Sequence, residues 1–459
     1  MNLRGKTVLF LGSSVTYGSA AGGVSFADIM AERLGFTCVK EAVSGTTLAD
    51  LDDASYVARL KQVSTDLRPA LFVCQLSTND ATRGISLADV EQAIRWIIGY
   101  VRSTFGCPVL FYTGTFFECP AYREMIGLLY RIREENPIHI LDLYNDKDML
   151  SVSEEDYAVY MSDPIHPTLT GYRDWWTPQF IAACESIPEG MVVHNHRISA
   201  PGIRKKVIYH FSDVHLSVQD SLSTPEETQK AADASAGWEG TRSWFAAKYG
   251  EPDTPEQKKS PETHFSALLE LAQTGDAVVM AGDLCDYVSP ANLRFLDSEL
   301  GKLSVPWLAV CGNHDMQEDI PDGFLFSRVK QGVQLLDLGD LILLGIDNSR
   351  RCITAEQNAR LRQALSLGKP LIVAMHVPVM TEGNREMLTE CGEYFQLNHA
   401  GADEETLAFV DILRQNPTRI LAVLAGHLHF GNVSEVAPGL KQYVSSQGIL
   451  GNINRYEIG

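Results

Sequence analysis

The chain has 459 residues, 45% of them apolar, and a formal net charge of −20 at pH 7. That length exceeds one ordinary core and predicts two domains, each with enough apolar side chains to fill it. The acidic excess runs through both halves and excludes a broad basic surface for nucleic acid or anionic membrane, while a small phosphate ligand held through metal ions stays compatible with it.

The nine cysteines are scattered, with Cys74, Cys285 and Cys311 in or beside apolar runs, and no Cys-x-x-Cys pair occurs. Reduced, buried thiols are expected, not a disulfide framework or a zinc knuckle. The apolar run before Gly12 is too short for the core of a signal peptide, and no other run approaches the length of a membrane span. A cytoplasmic protein is therefore expected.

In the first half, residues 7–11 have the composition of a buried strand, which turns out through Gly12-Ser13-Ser14-Val15-Thr16-Tyr17-Gly18 into a helical stretch at 25–34. Apolar segments at 37–43, 70–76, 108–112 and 138–143 alternate with helical patterns such as 87–104 and 121–135. Alternation of this kind predicts an α/β fold with a parallel sheet and helices on both faces. Sites in such sheets gather at the carboxyl ends of the strands. The polar clusters fall there: Ser13-Ser14, Ser44-Gly45 and Ser77-Thr78-Asn79-Asp80.

These three clusters, together with Asp163-Pro164-Ile165-His166, resemble the four blocks of the SGNH (GDSL-like) hydrolase family, in order and at similar spacing across residues 1–187. The resemblance implies a flavodoxin-like sheet, no cofactor in this domain, and acyl transfer from esters. Ser14 would be the nucleophile, His166 its general base, and Asp163 the carboxylate that orients the imidazole. The backbone N–H groups of Ser14 and Gly45 and the side-chain amide of Asn79 would form the oxyanion hole. One departure stands out: the family's Gly-Asp-Ser is here Gly12-Ser13-Ser14, which leaves the implied triad intact but alters local hydrogen bonding.

Prolines and glycines between residues 188 and 206 mark a boundary. The expected division is an esterase domain at 1–190, a linker at 191–203 and a second domain at 204–459. His194 and His196 alternate with Val193 and are expected as exposed strand or linker residues, not ligands.

In the second half, five apolar strands each deliver Asp, Asn or His at their ends. Residues 206–211 lead to Asp213 and His215, 277–281 to Asp283 and Asp286, and 306–311 to Asn313, His314 and Asp315; 370–375 lead to His376, and 420–425 to His427 and His429. The pattern D-x-H, G-D, G-N-H-D, H, G-H-x-H resembles the calcineurin-like metallophosphoesterase family, particularly its class III phosphodiesterases. The resemblance implies an αββα fold of two facing sheets flanked by helices, and two divalent ions, with manganese, iron or zinc all suited to mixed imidazole and carboxylate ligands. Asp213, His215 and His429 would hold one ion and Asn313, His376 and His427 the other. Asp283 would bridge them, since two close cations require a shared anion. His314 would stabilise transition-state charge or protonate the leaving oxygen, with Asp315 fixing its tautomer and Asp286 left a structural role.

Seventy residues separate Asp213 from Asp283, more than this fold needs. The excess, 218–262, carries Trp238, Trp244, Phe245 and Tyr249, expected as a lid over the metals, an interface, or an amphipathic helix packed on its own domain. His399 is a further candidate substrate contact. The expected protein is a bifunctional hydrolase of small-molecule esters and phosphoesters, with no nucleic-acid partner and no membrane span. The alternative is a metallophosphodiesterase for nucleotides or glycerophosphodiesters whose first domain is a non-catalytic binding module.

Overall fold

A computed structural model describes residues 1–249, 258–392 and 395–459, which form two compact units, Met1–Glu189 and Gly190–Gly459. In the first unit the strands β1 (Thr7–Gly12), β2 (Thr37–Ala42), β3 (Pro69–Gln75), β4 (Val109–Tyr112) and β5 (Ile138–Leu141) make a sheet of order β2-β1-β3-β4-β5. Every neighbouring pair is parallel. This is a flavodoxin-like sheet, and its two faces are covered by different helices.

The pleat explains why the central strand is apolar throughout. Leu9 and Leu11 point into one core with Ile94, Ile97 and Leu129, while Val8 and Phe10 point into another with Phe26, Trp176 and Phe180. Successive side chains alternate faces, so a strand buried on both sides reads as a continuous hydrophobic run. The helix Leu87–Thr104 buries Val90, Ala93, Ile94, Ile97, Ile98 and Val101, the spacing of one helical face, and Ser86 caps it by accepting the Asp89 N–H at 3.1 Å.

The second unit contains two sheets. One is formed by β6 (Val192–Ile198), β7 (Lys206–Phe211), β8 (Ala277–Ala281), β9 (Trp307–Val310) and β16 (Asn452–Ile458), in the order β6-β16-β7-β8-β9. The other contains β10 (Val333–Asp337), β11 (Ile342–Ile346), β12 (Leu371–Ala374), β13 (Ile420–Ala425), β14 (Asn432–Ala437) and β15 (Leu440–Val444), in the order β10-β11-β12-β13-β15-β14. Val279, Leu308 and Val310 of one sheet share a core with Leu343, Ile372 and Leu424 of the other. Their sequence neighbours point outward to helices: Val278 and Met280 meet Phe265 and Leu268, while Leu344 and Val373 meet Leu361 and Phe409. The layers are therefore helix, sheet, sheet, helix.

The expected linker at 191–203 is largely β6, which pairs in parallel with β16 from Asn452 opposite Val192 to Ile458 opposite Ile198. His194 and His196 face Asn452 and Asn454, with Nε2 to Oδ1 distances of 3.0 and 2.8 Å. The partner strand is remote in sequence, so no local pattern marks the pairing. All nine cysteines are free. Among the described residues, no helix is long and apolar enough to cross a membrane.

Candidate active sites

In the first unit, β1 ends at Gly12 and the short helix Ser14–Tyr17 begins at the serine. A Cβ at Gly12 would lie 1.7 Å from Thr16 Oγ1, so only glycine lets the turn close this tightly. Ser14 Oγ is 2.7 Å from His166 Nε2, and His166 Nδ1 is 2.8 Å from Asp163 Oδ2. The other oxygen of Asp163 accepts the N–H groups of Ile165 at 2.8 Å and His166 at 2.9 Å, folding the Asp-Pro-Ile-His segment into a fixed turn. Burial opposes ionisation of Asp163, but these N–H groups and the imidazole outweigh it and hold the carboxyl below its ordinary range. An ionised Asp163 accepts from Nδ1–H, which leaves the Nε2 lone pair for the serine hydroxyl.

Ser13 occupies the position where the acid of GDSL-type sequences would stand. Its N–H donates to Gln75 Oε1 at 2.9 Å, and that oxygen also accepts from Thr16 Oγ1 at 2.9 Å. Gln75, which the motif pattern did not flag, thus ties the serine turn to the end of β3. Asn79 donates an N–H to the Thr46 carbonyl at 2.9 Å. Asp80 is fully buried and accepts from the N–H groups of Leu48 and Ala49 at 2.8 and 2.9 Å, anchoring the loop that carries Gly45. Burial raises its carboxyl above the ordinary value despite those bonds.

In the second unit, β7, β8, β9, β12 and β13 end beside one another and bring all seven expected ligands together. His215 Nε2 lies 3.2 Å from His429 Nε2, which is 3.4 Å from Asp213 Oδ1. His376 Nε2 lies 3.1 Å from His427 Nδ1, 3.2 Å from Asn313 Oδ1 and 3.2 Å from Asp283 Oδ2. Asp283 belongs to both groups, since it joins Asp213, His215 and His429 on one side and His376 and His427 on the other. Among the described residues, positive φ outside glycine occurs at Asp213, His215, Asp283, His427, His429 and Arg351. Five of these six are expected ligands, and backbone strain of this kind collects at functional sites. Gly312 is forced by the same crowding, because a Cβ there would sit 2.0 Å from Asp283 Oδ1.

The donor chemistry fits divalent cations. His376 Nδ1 is 2.7 Å from the Ala281 carbonyl, and His215 Nδ1 is 3.3 Å from Asp286 Oδ1, so in each ring the Nδ1 proton has its own acceptor and Nε2 is the nitrogen placed to coordinate a cation. The ring nitrogens and carboxylate oxygens converge at 3.1–3.4 Å, close enough together to share a cation. Burial opposes ionisation of Asp213 and Asp283, yet His429 beside the first and His376 beside the second hold both below the usual carboxylate range.

One expectation requires correction. Asp315 does not orient His314. Its buried carboxylate accepts the N–H groups of Gly312 at 2.6 Å, Leu284 at 2.7 Å, and Asp283 and Cys285 at 3.3 Å, so it binds the β8 and β9 loops together. Burial and neighbouring Asp283 push it up to about 6. His314 Nδ1 instead lies 2.9 Å from the Asp286 carbonyl and 3.3 Å from Asp286 Oδ1. Burial lowers the affinity of His314 for a proton, but Asp286 and Asp283 overcome it and push the imidazole up to about 9.

The insertion forms a helix, Pro225–Tyr249, that packs on its own unit. Trp238 stacks on His215 with ring centroids 3.9 Å apart and donates its indole N–H to Asp286 Oδ1 at 2.7 Å. Phe245 lies 5.1 Å from His429, and Tyr249 stacks on Phe430 at 3.9 Å. Trp244 is 56% exposed and meets the Phe245 ring edge-on, with centroids 4.9 Å apart. Residues 250–257 of the insertion lie outside the described residues. His399 engages its own loop, accepting the Gly401 N–H at 3.1 Å.

The two units thus define a protein with one Ser-His-Asp arrangement suited to ester hydrolysis and one buried His/Asp centre suited to divalent metal. Residues 10–173 match the family model for the GDSL-like Lipase/Acylhydrolase family, and residues 206–431 match that for Calcineurin-like phosphoesterase. The chain is a fusion of these two families, both of them hydrolases acting on ester bonds. No curated protein matches it. Similar solved structures include a Lactobacillus plantarum protein at 18% identity, covering 40% of this chain and 98% of that one with a TM-score of 0.36. A member of the lipolytic protein G-D-S-L family from Veillonella parvula is 14% identical over 39% of this chain and 99% of that one, with a TM-score of 0.33. A dimetal phosphatase from Danio rerio is 14% identical over 53% of this chain and 88% of that one, with a TM-score of 0.31.

Proposed function

We propose that the chain is a bifunctional hydrolase, a serine esterase joined to a dinuclear metal-dependent phosphodiesterase, acting on a substrate that bears both an acyl ester and a phosphoester. The observation favouring this over a non-catalytic first unit is the unbroken chain from Ser14 Oγ to His166 Nε2 at 2.7 Å and from His166 Nδ1 to Asp163 at 2.8 Å.

In the esterase reaction Ser14 Oγ attacks the acyl carbonyl as His166 Nε2 takes its proton, and Asp163 stabilises the imidazolium. The N–H groups of Ser14 and Gly45 and the second N–H of Asn79 receive the oxyanion. His166 then returns the proton to the departing alkoxide. Water repeats the cycle on the acyl-enzyme and frees Ser14.

In the second unit, Asp213, His215 and His429 would hold one ion and Asn313, His376 and His427 the other, with Asp283 shared; manganese, iron and zinc all suit these donors. Bound ions supply Lewis acidity toward the phosphoryl oxygens and lower the pKa of water. His314, with Nδ1 held by the Asp286 carbonyl at 2.9 Å, would present Nε2 to the leaving oxygen as a proton donor.

A compound carrying both bonds tests the joint reading. Ser14→Ala should stop acyl release alone and Asp283→Asn phosphoester cleavage alone. A serine-directed fluorophosphonate should label the parent and not Ser14→Ala; equal labelling of both would remove Ser14 as nucleophile, and parental turnover by both variants would end the bifunctional reading.

A further inference from the structure

One carboxylate oxygen, Asp286 Oδ1, is approached by three N–H donors. Trp238 Nε1 lies at 2.7 Å, and the Nδ1 atoms of His215 and His314 lie at 3.3 Å. His215, Asp286 and His314 are close enough together to suggest another cation site. The indole argues otherwise, because its N–H can only donate and points at the oxygen a third cation would need. The arrangement is a hydrogen-bond hub.

The hub is fed from the inserted helix. Ala231, Trp238, Arg242 and Ala246 fall on one face, of which Ala231, Arg242 and Ala246 are buried, and Trp238 packs with Ala246 against Ile449 and Leu450. The Arg242 carbonyl accepts from Gln447 Nε2 at 3.3 Å, fixing the helix one turn beyond the tryptophan. The indole is thus held from its own helix while its face covers the His215 ring and its edge grips Asp286.

We propose that Trp238 is a positioning residue of the metal centre. Its N–H fixes Asp286, and through that residue it sets the ring orientation of His215, a proposed metal ligand that meets Oδ1, and of His314, which meets the Asp286 carbonyl at 2.9 Å and Oδ1 at 3.3 Å. This rests on the metallophosphodiesterase reading above. Partners that orient ligating histidines typically govern metal affinity by 10- to 100-fold. Losing the indole N–H should therefore weaken metal binding and slow turnover even when metal is saturating.

The test compares the full-length parent with Trp238→Phe, which keeps a stacking ring but lacks the donor, and with Trp244→Phe as the exposed control. Titrating Mn²⁺ alone by calorimetry, Trp238→Phe should bind about tenfold more weakly, with Trp244→Phe equal to the parent. Quenching of tryptophan emission by Mn²⁺ should shrink in Trp238→Phe and persist in Trp244→Phe. At saturating Mn²⁺, Trp238→Phe should lose kcat on bis(p-nitrophenyl) phosphate with little change in KM, a split that general loosening of the fold would not produce. Parental affinity and kcat in a folded Trp238→Phe would overturn the inference alone. A parent that binds no Mn²⁺ would overturn the metal reading and the inference together.

Discussion

His314 Nδ1 lies 2.9 Å from the carbonyl oxygen of Asp286, whereas Asp315, its sequence neighbour, makes its hydrogen bonds with the backbone of Gly312, Asp283, Leu284 and Cys285. The two carboxylates therefore do different work. Asp315→Ala should leave four buried N–H groups without their acceptor and cost about 3 kcal/mol of stability. Asp286→Ala keeps the main-chain carbonyl that faces His314 but removes Oδ1, which His215, His314 and Trp238 approach, and should lower phosphodiesterase kcat about 100-fold with a smaller shift in melting temperature. Paired denaturation and kinetic measurements distinguish them, and the reverse pattern would return the orienting role to Asp315.

The proposed esterase triad predicts a steep dependence on Asp163. Asp163→Asn keeps the shape of the turn but favours the wrong imidazole tautomer, and kcat for p-nitrophenyl esters should fall about 10³- to 10⁴-fold. Ser14→Ala should be as inactive. Phosphodiesterase turnover should be unchanged in both variants; a loss there would mean that the two chemistries share groups.

Metal removal should separate the activities in the opposite sense. Dialysis against a strong chelator should abolish phosphodiesterase turnover and leave ester hydrolysis intact, and Mn²⁺ or Zn²⁺ should restore the former. Asp283→Asn, which removes the shared anionic ligand, should resist restoration. Phosphodiester cleavage that survives exhaustive chelation would refute the metal assignment.

Acid stability should report on His210. This imidazole is fully buried in the second unit, with Nδ1 3.1 Å from Tyr456 Oη and Nε2 without a hydrogen-bond partner. Burial, aided by His196 and opposed by Asp213, pushes it down from 6.5 to about 3. The native state keeps His210 neutral while the unfolded chain takes up a proton below pH 6.5, so stability falls as pH drops through that value and the loss levels off near pH 3. Between pH 7 and 5 this one group should cost about 2 kcal/mol. Urea titrations of the parent and His210→Gln at both pH values measure the difference, and equal pH dependence would show that His210 does not contribute.

Much of the site was legible because strands advertise their own ends. An apolar run that stops at Gly-Asp or Gly-Asn-His places its polar residues at a sheet edge, so the candidate residues could be picked from the chain without knowing how the strands pair, and the resemblance to the two families supplied their expected roles. The partner of Trp238, the role of Gln75 and the exchange of roles between Asp286 and Asp315 were not legible. Each depends on which groups meet across a gap in sequence: Trp238 reaches Asp286 from an insertion, and Gln75 meets Ser13 from a neighbouring strand. β6 escaped for the same reason, since its partner β16 lies at the other end of the unit.

The sequence by itself determined the two α/β units and the kinds of side chain at their strand ends, because hydrophobic periodicity and turn chemistry are local properties of the chain. Only the tertiary structure decided which oxygen serves which donor. A hydrogen bond depends on about an ångström of placement, and that placement is set by packing between segments that sequence order leaves apart. His314 stands next to Asp315 in the chain, and the fold gives it to Asp286.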